Sequence, residues 1–542
     1  MIKTLGLYLS RDLAKVTAMA LAAFTLVMTV FAIMEPLRKE GLAAGQLAAL
    51  LAYTVPVMLS LTLPIAALFA STIVYGRFSQ DNELTACRAS GVSTIRLLKP
   101  AMVLGAMVTI CSLLLSNYVT PKMMRLAAYS VRANVLGIVR QKFRTQSYVD
   151  YGRYLIHADS VEQDRDTLAL RGVVALDARK RDDLRVLAAS NAVARFDEND
   201  GQTYVTVSLF RPTVMRTSSR DIIEQASMPL PPYPLPGMER EDASWYEWDR
   251  LLATLKEPAG NAQIGSQLVR IQRRLALDAL ARLIVAAINS GAAYEGLSLE
   301  GEVYAVRAAS AELADRERDK TVIVLHSGGR EARAVEVSPR EGGKVRQTVR
   351  AENGSIDMTW ALGQEAPSAT VALKDGVVVS GTASAAGVQR RASWETAQLR
   401  VPQEVVVAAG DIRLEDICLR GKEMTASMGI LSDINDLNRQ EIPRLTNRII
   451  GELHGRVAYG VSCFLMVALG AALGLMFRGG QFISAFALAV APAAVVIVMM
   501  LMGKQLVRRI DLPTVYGLMA VWGGIAALLA ADLCVYFHLA RK

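Results

Sequence analysis

Six stretches of this chain contain no Asp, Glu, Lys or Arg: residues 16–34, 41–76, 100–121, 457–477, 479–503 and 512–531. They run for 19, 36, 22, 21, 25 and 20 residues. About 20 apolar residues in a helix cross the roughly 30 Å hydrocarbon core of a bilayer, where only helices and closed barrels satisfy the backbone. The pattern therefore predicts six transmembrane helices, three on each side of a middle segment, residues 122–456. The second run is long enough for two short spans. No charged turn divides it, however, and Pro56 and Pro64 stand only eight apart. One kinked span with an interfacial lead-in around 42–51 is the expectation. The first run follows Lys3, Arg11 and Lys15, as the apolar core of a signal peptide does. It is too long for one, and no small-residue cleavage site follows Met34, so it is expected to remain as a span.

The charge is distributed to match. Of 542 residues, 52% are apolar and mean hydropathy is +0.28, against a formal net charge of +9. Residues 1–121 and 457–542 hold 15 Lys+Arg and 7 Asp+Glu, while the middle segment holds 45 and 44. A basic excess confined to apolar ends excludes nucleic-acid binding and fits the flanks of membrane spans. With the N-terminus inside, ten basic residues fall on cytoplasmic segments (Lys3, Arg11, Lys15, Arg77, Arg88, Arg96, Lys99, Arg478, Arg541, Lys542). Five fall on short outer loops (Arg38, Lys39, Lys504, Arg508, Arg509). This predicts both termini inside and the middle segment outside. Only Cys418 lies in that segment, so it forms no internal disulfide.

Within the middle segment unbroken apolar runs give way to alternation. Residues 185–196 and 203–209 read as a β-hairpin across the turn 197–201, and 372–379 as a second hairpin turning at Asp375 and Gly376. Residues 187–192 and 306–311 resemble each other as a weak internal repeat. Five prolines in 228–237 predict an extended connector. Residues 263–290 have the composition of an amphipathic helix, with Leu268, Ile271, Leu275, Leu280, Leu283 and Ile284 on one face and Arg270, Arg273, Arg274 and Arg282 elsewhere. It could lie on a membrane surface; the favoured reading packs it on the sheet with a solvated basic face.

Familiar catalytic chemistry is missing. Around Arg420, Gly421, Lys422 and Glu423 there is neither the upstream glycine nor the Ser/Thr of a phosphate loop. The histidines, His157, His326, His454 and His538, have no metal-ligand spacing, and no Gly-x-Ser-x-Gly occurs. No cofactor or metal and no catalytic residue is expected; any work this chain does is conformational.

The loop between the second and third runs is the most informative. Ser79 can cap a helix, Asp81 and Glu83 sit where the dipole favours anions, Arg88 lies near the far end, and Gly91 can close it. A short cytoplasmic helix near 79–91 follows. It is either a structured loop or a rigid element through which an ATPase in trans transmits force.

Here the residues resemble the lipopolysaccharide export permeases, the LptF/LptG family. Its cytoplasmic loop reads approximately [ST]-E-[LI]-x-[AV]-x-x-[AS]-x-G, and this chain has Asn82-Glu83-Leu84-Thr85-Ala86-Cys87-Arg88-Ala89-Ser90-Gly91. A second signature, E-[LYF]-H-x-R before an apolar run ending P-L-G, is matched by Glu452-Leu453-His454-Gly455-Arg456 and then Ala468-Leu469-Gly470-Ala471-Ala472-Leu473-Gly474. The resemblance covers residues 1 to about 215 and about 420 to 542. Departures are Asn82 for Ser/Thr, Ala472 for proline, an unusually basic loop at 504–513, and extra material around 240–410.

The resemblance implies an α+β membrane protein of the cell inner membrane: six transmembrane helices, three plus three, with a large periplasmic β-jellyroll-like domain inserted between helices 3 and 4. The expected parts are 1–121 with a coupling helix near 79–91, a β-jellyroll-like part at 122–240, a helix- and β-rich insertion at 241–420, a return segment at 421–456, and 457–542. It further implies a permease subunit, not itself an enzyme, that pairs with a second homologous permease, binds a cytoplasmic ABC ATPase dimer, and passes lipopolysaccharide to periplasmic bridge proteins. Glu83, Leu84, Arg88 and Gly91 match the ATPase-facing helix. Arg38 and Lys39 are the lipid-phosphate candidates, or simply anchor the helix end. Glu452 and Arg456, at i and i+4, are expected to form a local ion pair at the membrane boundary beside His454. Asp532, with His538 beyond, is expected at the inner interface. The alternative from another class is a membrane-anchored envelope assembly module whose β-domain edge pairs with partners without transport.

Overall fold

The described residues of the six uncharged runs fall in six long helical spans. Candidate spans are Leu5–Met34, Ala48–Gln80, Arg96–Ala127, Met428–Met476, Phe486–Arg508 and Thr514–Leu539, here spans 1 to 6. The computed structural model describes residues 2–40, 44–132, 148–151, 154–164, 167–177, 185–199, 202–216, 222–224, 227–230, 233–234, 242–298, 301–317, 320–327, 335–341, 344–345, 347–360, 367–381, 389–396, 398–477 and 482–541. These fall into two compact units, Met1–Glu257 with Arg444–Lys542, and Pro258–Pro443.

In the first unit, spans 1 and 2 are α1 (Ile2–Glu40) and α2 (Ala44–Gln80), and α2 runs unbroken through Pro56 and Pro64 as a single element. A proline removes the hydrogen bond to the carbonyl four residues back. For Pro64 that carbonyl belongs to Ser60, and the Tyr459 hydroxyl of span 4 donates to Ser60 O at 3.3 Å and Leu61 O at 2.9 Å. A neighbouring span thus satisfies the defect, as a water-free interior requires. Span 3 comprises α4 (Thr94–Leu114), a π-helical turn (Leu115–Val119) and α5 (Thr120–Arg132). Spans 4, 5 and 6 use α11 (Ile442–Met476), α12 (Phe482–Arg508) and α13 (Thr514–Arg541).

Close approach replaces the hydrophobic effect as the means of association inside a bilayer. A Cβ at Gly474 would stand 2.7 Å from Thr72 O and 3.0 Å from Gly76 N, and one at Gly470 2.4 Å from Ser71 Oγ, so span 4 meets span 2 backbone to backbone. Spans 5 and 6 do the same, since a Cβ at Gly503 would lie 2.8 Å from Gly517 O and the reverse contact measures the same.

The same unit carries a nine-stranded antiparallel sheet. Its path is β1 (Val149–Tyr151), β2 (Tyr154–Asp164), β3 (Thr167–Asp177), β4 (Arg185–Asn199), β5 (Gln202–Phe210) and β8 (Ser227–Pro229). Three short strands complete it: β6 (Thr213–Arg216) pairs with β4, β7 (Ile222–Glu224) with β6, and β9 (Tyr233–Pro234) with β5. The expected 185–209 hairpin is β4 and β5, paired from Asn191↔Phe210 to Asn199↔Gln202. Alternate residues such as Leu168, Leu170, Leu187, Val205, Val207 and Leu209 form its core.

The second unit is built on an eleven-stranded sheet. Six of its strands close a ring: β18 (Ser368–Gly381), β16 (Gln347–Ala351), β14 (Val335–Glu341), β11 (Val303–Arg307), β10 (Tyr294–Ser298) and β20 (Leu399–Arg400), which returns to β18. From β18 the sheet continues through β17 (Asn353–Thr359), β13 (Lys320–His326) and β12 (Ser310–Glu317), with β19 (Gln389–Glu395) on the other side of β18. The hairpin expected at 372–379 is not one. Asp375 and Gly376 have φ of 62° and 63°, yet they form a bulge in the single strand β18. The strand continues because its first half pairs with β17 and its second with β16. Residues 187–192 lie inside β4, whereas 306–311 straddle the end of β11 and the start of β12, so the similar letters occupy different structures.

The helix expected at 263–290 is α7 (Ala262–Asn289). Leu277, Ala281, Ile284 and Ile288 enter the core of the ringed sheet. Its arginines are less free than a solvated face implies: Arg274 pairs with Asp433, Arg282 with buried Asp278, and Arg273 stacks over Trp360 at 5.0 Å. Three further helices complete the unit, α8 (Gln403–Asp411), α9 (Leu414–Met424) and α10 (Met428–Asp436).

Candidate functional site

The bundle has a loop end, where spans 2 and 3 are joined, and an opposite end, where spans 4 and 5 bring their charged residues together. At the loop end α2 persists to Gln80, so Ser79 is inside it and caps nothing; its hydroxyl donates to Leu475 O of span 4 at 3.3 Å. Asn82, at φ 59°, breaks the helix, and α3 (Glu83–Ala89) begins after it. Gly91, at φ +75°, closes α3: Val92 N donates to Cys87 O at 3.0 Å, the six-to-one bond of a Schellman ending.

Leu84 and Val92 are buried with Phe78, Leu97, Leu9, Leu13 and Leu475, which fixes α3 to spans 1, 2, 3 and 4. Arg77 pairs with Asp12 alongside. The other face, with Thr85, Ala86, Ala89 and Ser90, is exposed, and Glu83 is half-buried at its start. Burial and then the nearby Glu83 charge push the Cys87 thiol up. The Arg88 side chain lies outside the described residues, as do the side chains of Arg38 and Lys39 near the end of α1. The result is a short rigid bracket, anchored by leucines and open on one side.

At the opposite end Glu452 is 4% exposed and meets three cations. Lys504 Nζ is 2.9 Å from its Oε1, Arg508 Nη2 3.3 Å from the same oxygen, and Arg456 Nε 3.9 Å from Oε2. The i, i+4 pair exists but is the longest of the three contacts. Gly451 and Gly455 admit span 5: a Cβ at Gly455 would lie 2.9 Å from Lys504 Cδ, and one at Gly451 3.4 Å from Val507 Cγ1. His454 accepts from Trp522 Nε1 at 3.2 Å through Nδ1, which ties span 4 to span 6. Lys504 and Arg508, expected in an outer loop, lie in the last turns of α12, and their partner, 52 and 56 residues away in sequence, is invisible to spacing arguments.

A segment the sequence did not single out completes this end. Asp242 Oδ1 accepts from Ser244 N at 2.9 Å and starts a 3-10 turn (Ala243–Trp245), followed by α6 (Trp248–Lys256). Ala243, Tyr246 and Leu251 are buried against Ile449, with Leu445 and Leu453 alongside. Glu247 accepts from Arg125 at 2.8 Å and lies 3.9 Å from Lys122, both on the continuation of span 3. Arg456 Nη2 donates to Ser244 O at 3.0 Å, while its Nη1 is buried with no hydrogen-bond partner among the described residues. The signal available in the sequence was the aromatic cluster Trp245, Tyr246 and Trp248 beside Glu247.

Asp532, expected near the inner end of the last span, is packed within the bundle. It is 4% exposed inside span 6, with neither carboxylate oxygen hydrogen-bonded among the described residues. No group of three His, Cys, Asp or Glu able to hold a metal occurs among those residues.

A family model described as "Lipopolysaccharide export system permease LptF/LptG" matches residues 7–230 and 316–536. No curated protein matches the chain. The match ends just before the 242–257 segment and resumes inside β12, so the material outside it is 231–315 rather than the whole of 240–410.

Proposed function

The chain belongs to the lipopolysaccharide export permease LptF/LptG family, and on that premise we propose that it is one membrane subunit of an ATP-driven lipid exporter. The chain is a multi-pass membrane protein and a transporter component, not itself an enzyme. In this reading a separate ABC ATPase dimer docks at the loop end on the exposed face of α3, and a second homologous six-span chain completes the lipid cavity. Lipopolysaccharide leaves the inner membrane through that cavity and passes along the β-rich region to periplasmic bridge proteins. The loop end and both termini are cytoplasmic, in keeping with ten basic residues against five in the short loops.

The observation that carries the reading is the build of α3. A seven-residue helix on its own would not hold its shape; this one is held by buried Leu84 below and by the Gly91 ending, leaving its outer face free to receive a partner. Force applied there reaches spans 1, 2 and 4 through the leucine cluster. Glu83, Arg88 and Gly91 are the contact candidates, and Arg38 and Lys39 the candidates for lipid phosphates.

Purification from detergent is expected to bring down an ATPase with the wild-type chain. Glu83→Ala is expected to weaken that association about tenfold, the equivalent of about 1.4 kcal/mol. The reading fails if no ATPase accompanies the chain, or if lipid export survives deletion of residues 77–99, which would favour an envelope assembly role instead.

A further inference from the structure

The 242–257 segment lies outside the family match, yet it is bound to the family's own E-[LYF]-H-x-R element through Arg456. It also reaches span 3 through Glu247, so one short piece of chain ties the ends of spans 3 and 4 together. Its grip is uneven. The apolar part is small, with three buried residues on Ile449. Glu247 and Arg125 each remain about a quarter exposed, and an ion pair of that kind contributes little and is weakened by competing ions.

Beneath it the charges do not balance. Among the described residues, the ion pairs of Lys122, Arg125, Arg456, Lys504 and Arg508 run to two carboxylates, Glu247 and Glu452. Arg456 is 5% exposed, and its Nη1 has no hydrogen-bond partner among the described residues. A buried unmet donor is costly, so the closed arrangement holds a guanidinium with one unmet N–H group behind a weak clasp. Phosphate oxygens are the natural acceptors for such a guanidinium and for lysine beside it.

We propose that residues 242–256 form a latch across the ends of spans 3 and 4, and that a phosphate group opens it by taking Arg125 from Glu247 and reaching Arg456. The phosphate is carried by a lipid or free in solution. The proposal rests on the export reading for its consequence, that the latch must open in each transport cycle. Opening separates Ser244 from Arg456 and leaves Glu452 to hold Lys504 and Arg508, so spans 4 and 5 stay joined while the tie from Glu247 to the end of span 3 is lost.

The test uses the assembled complex with its ATPase in vesicles containing lipopolysaccharide. The five native cysteines are replaced by serine, Arg125→Cys and Glu247→Cys are introduced, and the pair is joined by a short reducible bismaleimide. ATP-driven lipid release is expected to fall at least tenfold on cross-linking and to return when the linker is cleaved. In parallel, backbone hydrogen exchange over 243–256 is followed in the wild-type complex in phosphatidylcholine nanodiscs, with lipopolysaccharide or with inorganic phosphate added. Acceleration by either supports the latch and identifies the source of the phosphate. Release at an equal rate with the linker in place, or exchange unchanged by both additions, overturns it. A wild-type complex that hydrolyses ATP but releases no lipid overturns the export reading, whatever the exchange data show.

Discussion

Lys504 Nζ stands 2.9 Å from Glu452 Oε1, a full ångström closer than Arg456 Nε comes to the other oxygen from one turn along the same helix. The carboxylate that sequence spacing assigns to a local pair is chiefly an inter-span contact. It holds span 5 against span 4 at a place where Gly451 and Gly455 have cleared room for the lysine stem.

Removing that carboxylate leaves three cations facing one another in a partly desolvated site. Glu452→Gln is expected to cost about 3–5 kcal/mol, as breaking a buried charge pair does. Lys504→Met, which leaves Arg456 and Arg508 on the carboxylate, is expected to cost less, about 1–2 kcal/mol. Thermal unfolding of the two variants in the same detergent checks the order; equal midpoints would mean that Glu452 does not hold the three cations together.

Glycines in span 4 are expected to differ from glycines elsewhere in a predictable way. Gly474→Ala places a methyl 2.7 Å from Thr72 O and 3.0 Å from Gly76 N, backbone atoms that cannot swing aside. The expected loss is about 1–3 kcal/mol. Gly410, in α8, meets nothing within 4 Å. Gly410→Ala is expected to be neutral or to stabilise by up to about 1 kcal/mol, since alanine is the better helix former. Parallel melts of the two variants decide.

Cys87 reports on α3 through its protonation. Burial, and secondarily the Glu83 charge, raise the thiol above its ordinary value, so less of it is thiolate near pH 8. Its alkylation by maleimide, read by peptide mass spectrometry, is therefore expected to be slow at pH 8 and to accelerate as pH rises through the raised value. Glu83→Gln removes the smaller cause and is expected to speed the reaction without bringing it to the rate of an unperturbed thiol. A Glu83→Gln rate equal to or below the parent's would show that the two groups do not interact.

Much of this fold was legible because a bilayer imposes one requirement on sequence, long uncharged runs, and six of them announced six helices. The ending of α3 at Gly91 was legible for a similar reason, since few residues accept a positive φ. Local signals failed where two solutions share one signature. Asp375-Gly376 suits a tight turn and a bulge equally, and only the separate pairing of the two halves of β18 with β17 and β16 selects the bulge. Ser79 is a competent cap, but α2 runs past it, and its hydroxyl goes instead to Leu475 O.

The sequence alone determined that this chain is a multi-pass membrane protein, where its six long apolar helices fall, and which loop carries a structured helix. Each of these follows from composition or spacing within about 20 residues, the range over which a helix or a turn is decided. Only the tertiary structure decided that Glu452 belongs to span 5 as much as to span 4, that Tyr459 completes the helix opened by Pro64, and that Ser244 and Glu247 tie spans 3 and 4 together. In those cases the partners lie tens to hundreds of residues apart, and a charge or hydroxyl does not encode in sequence which distant carbonyl or carboxylate the fold will bring to it.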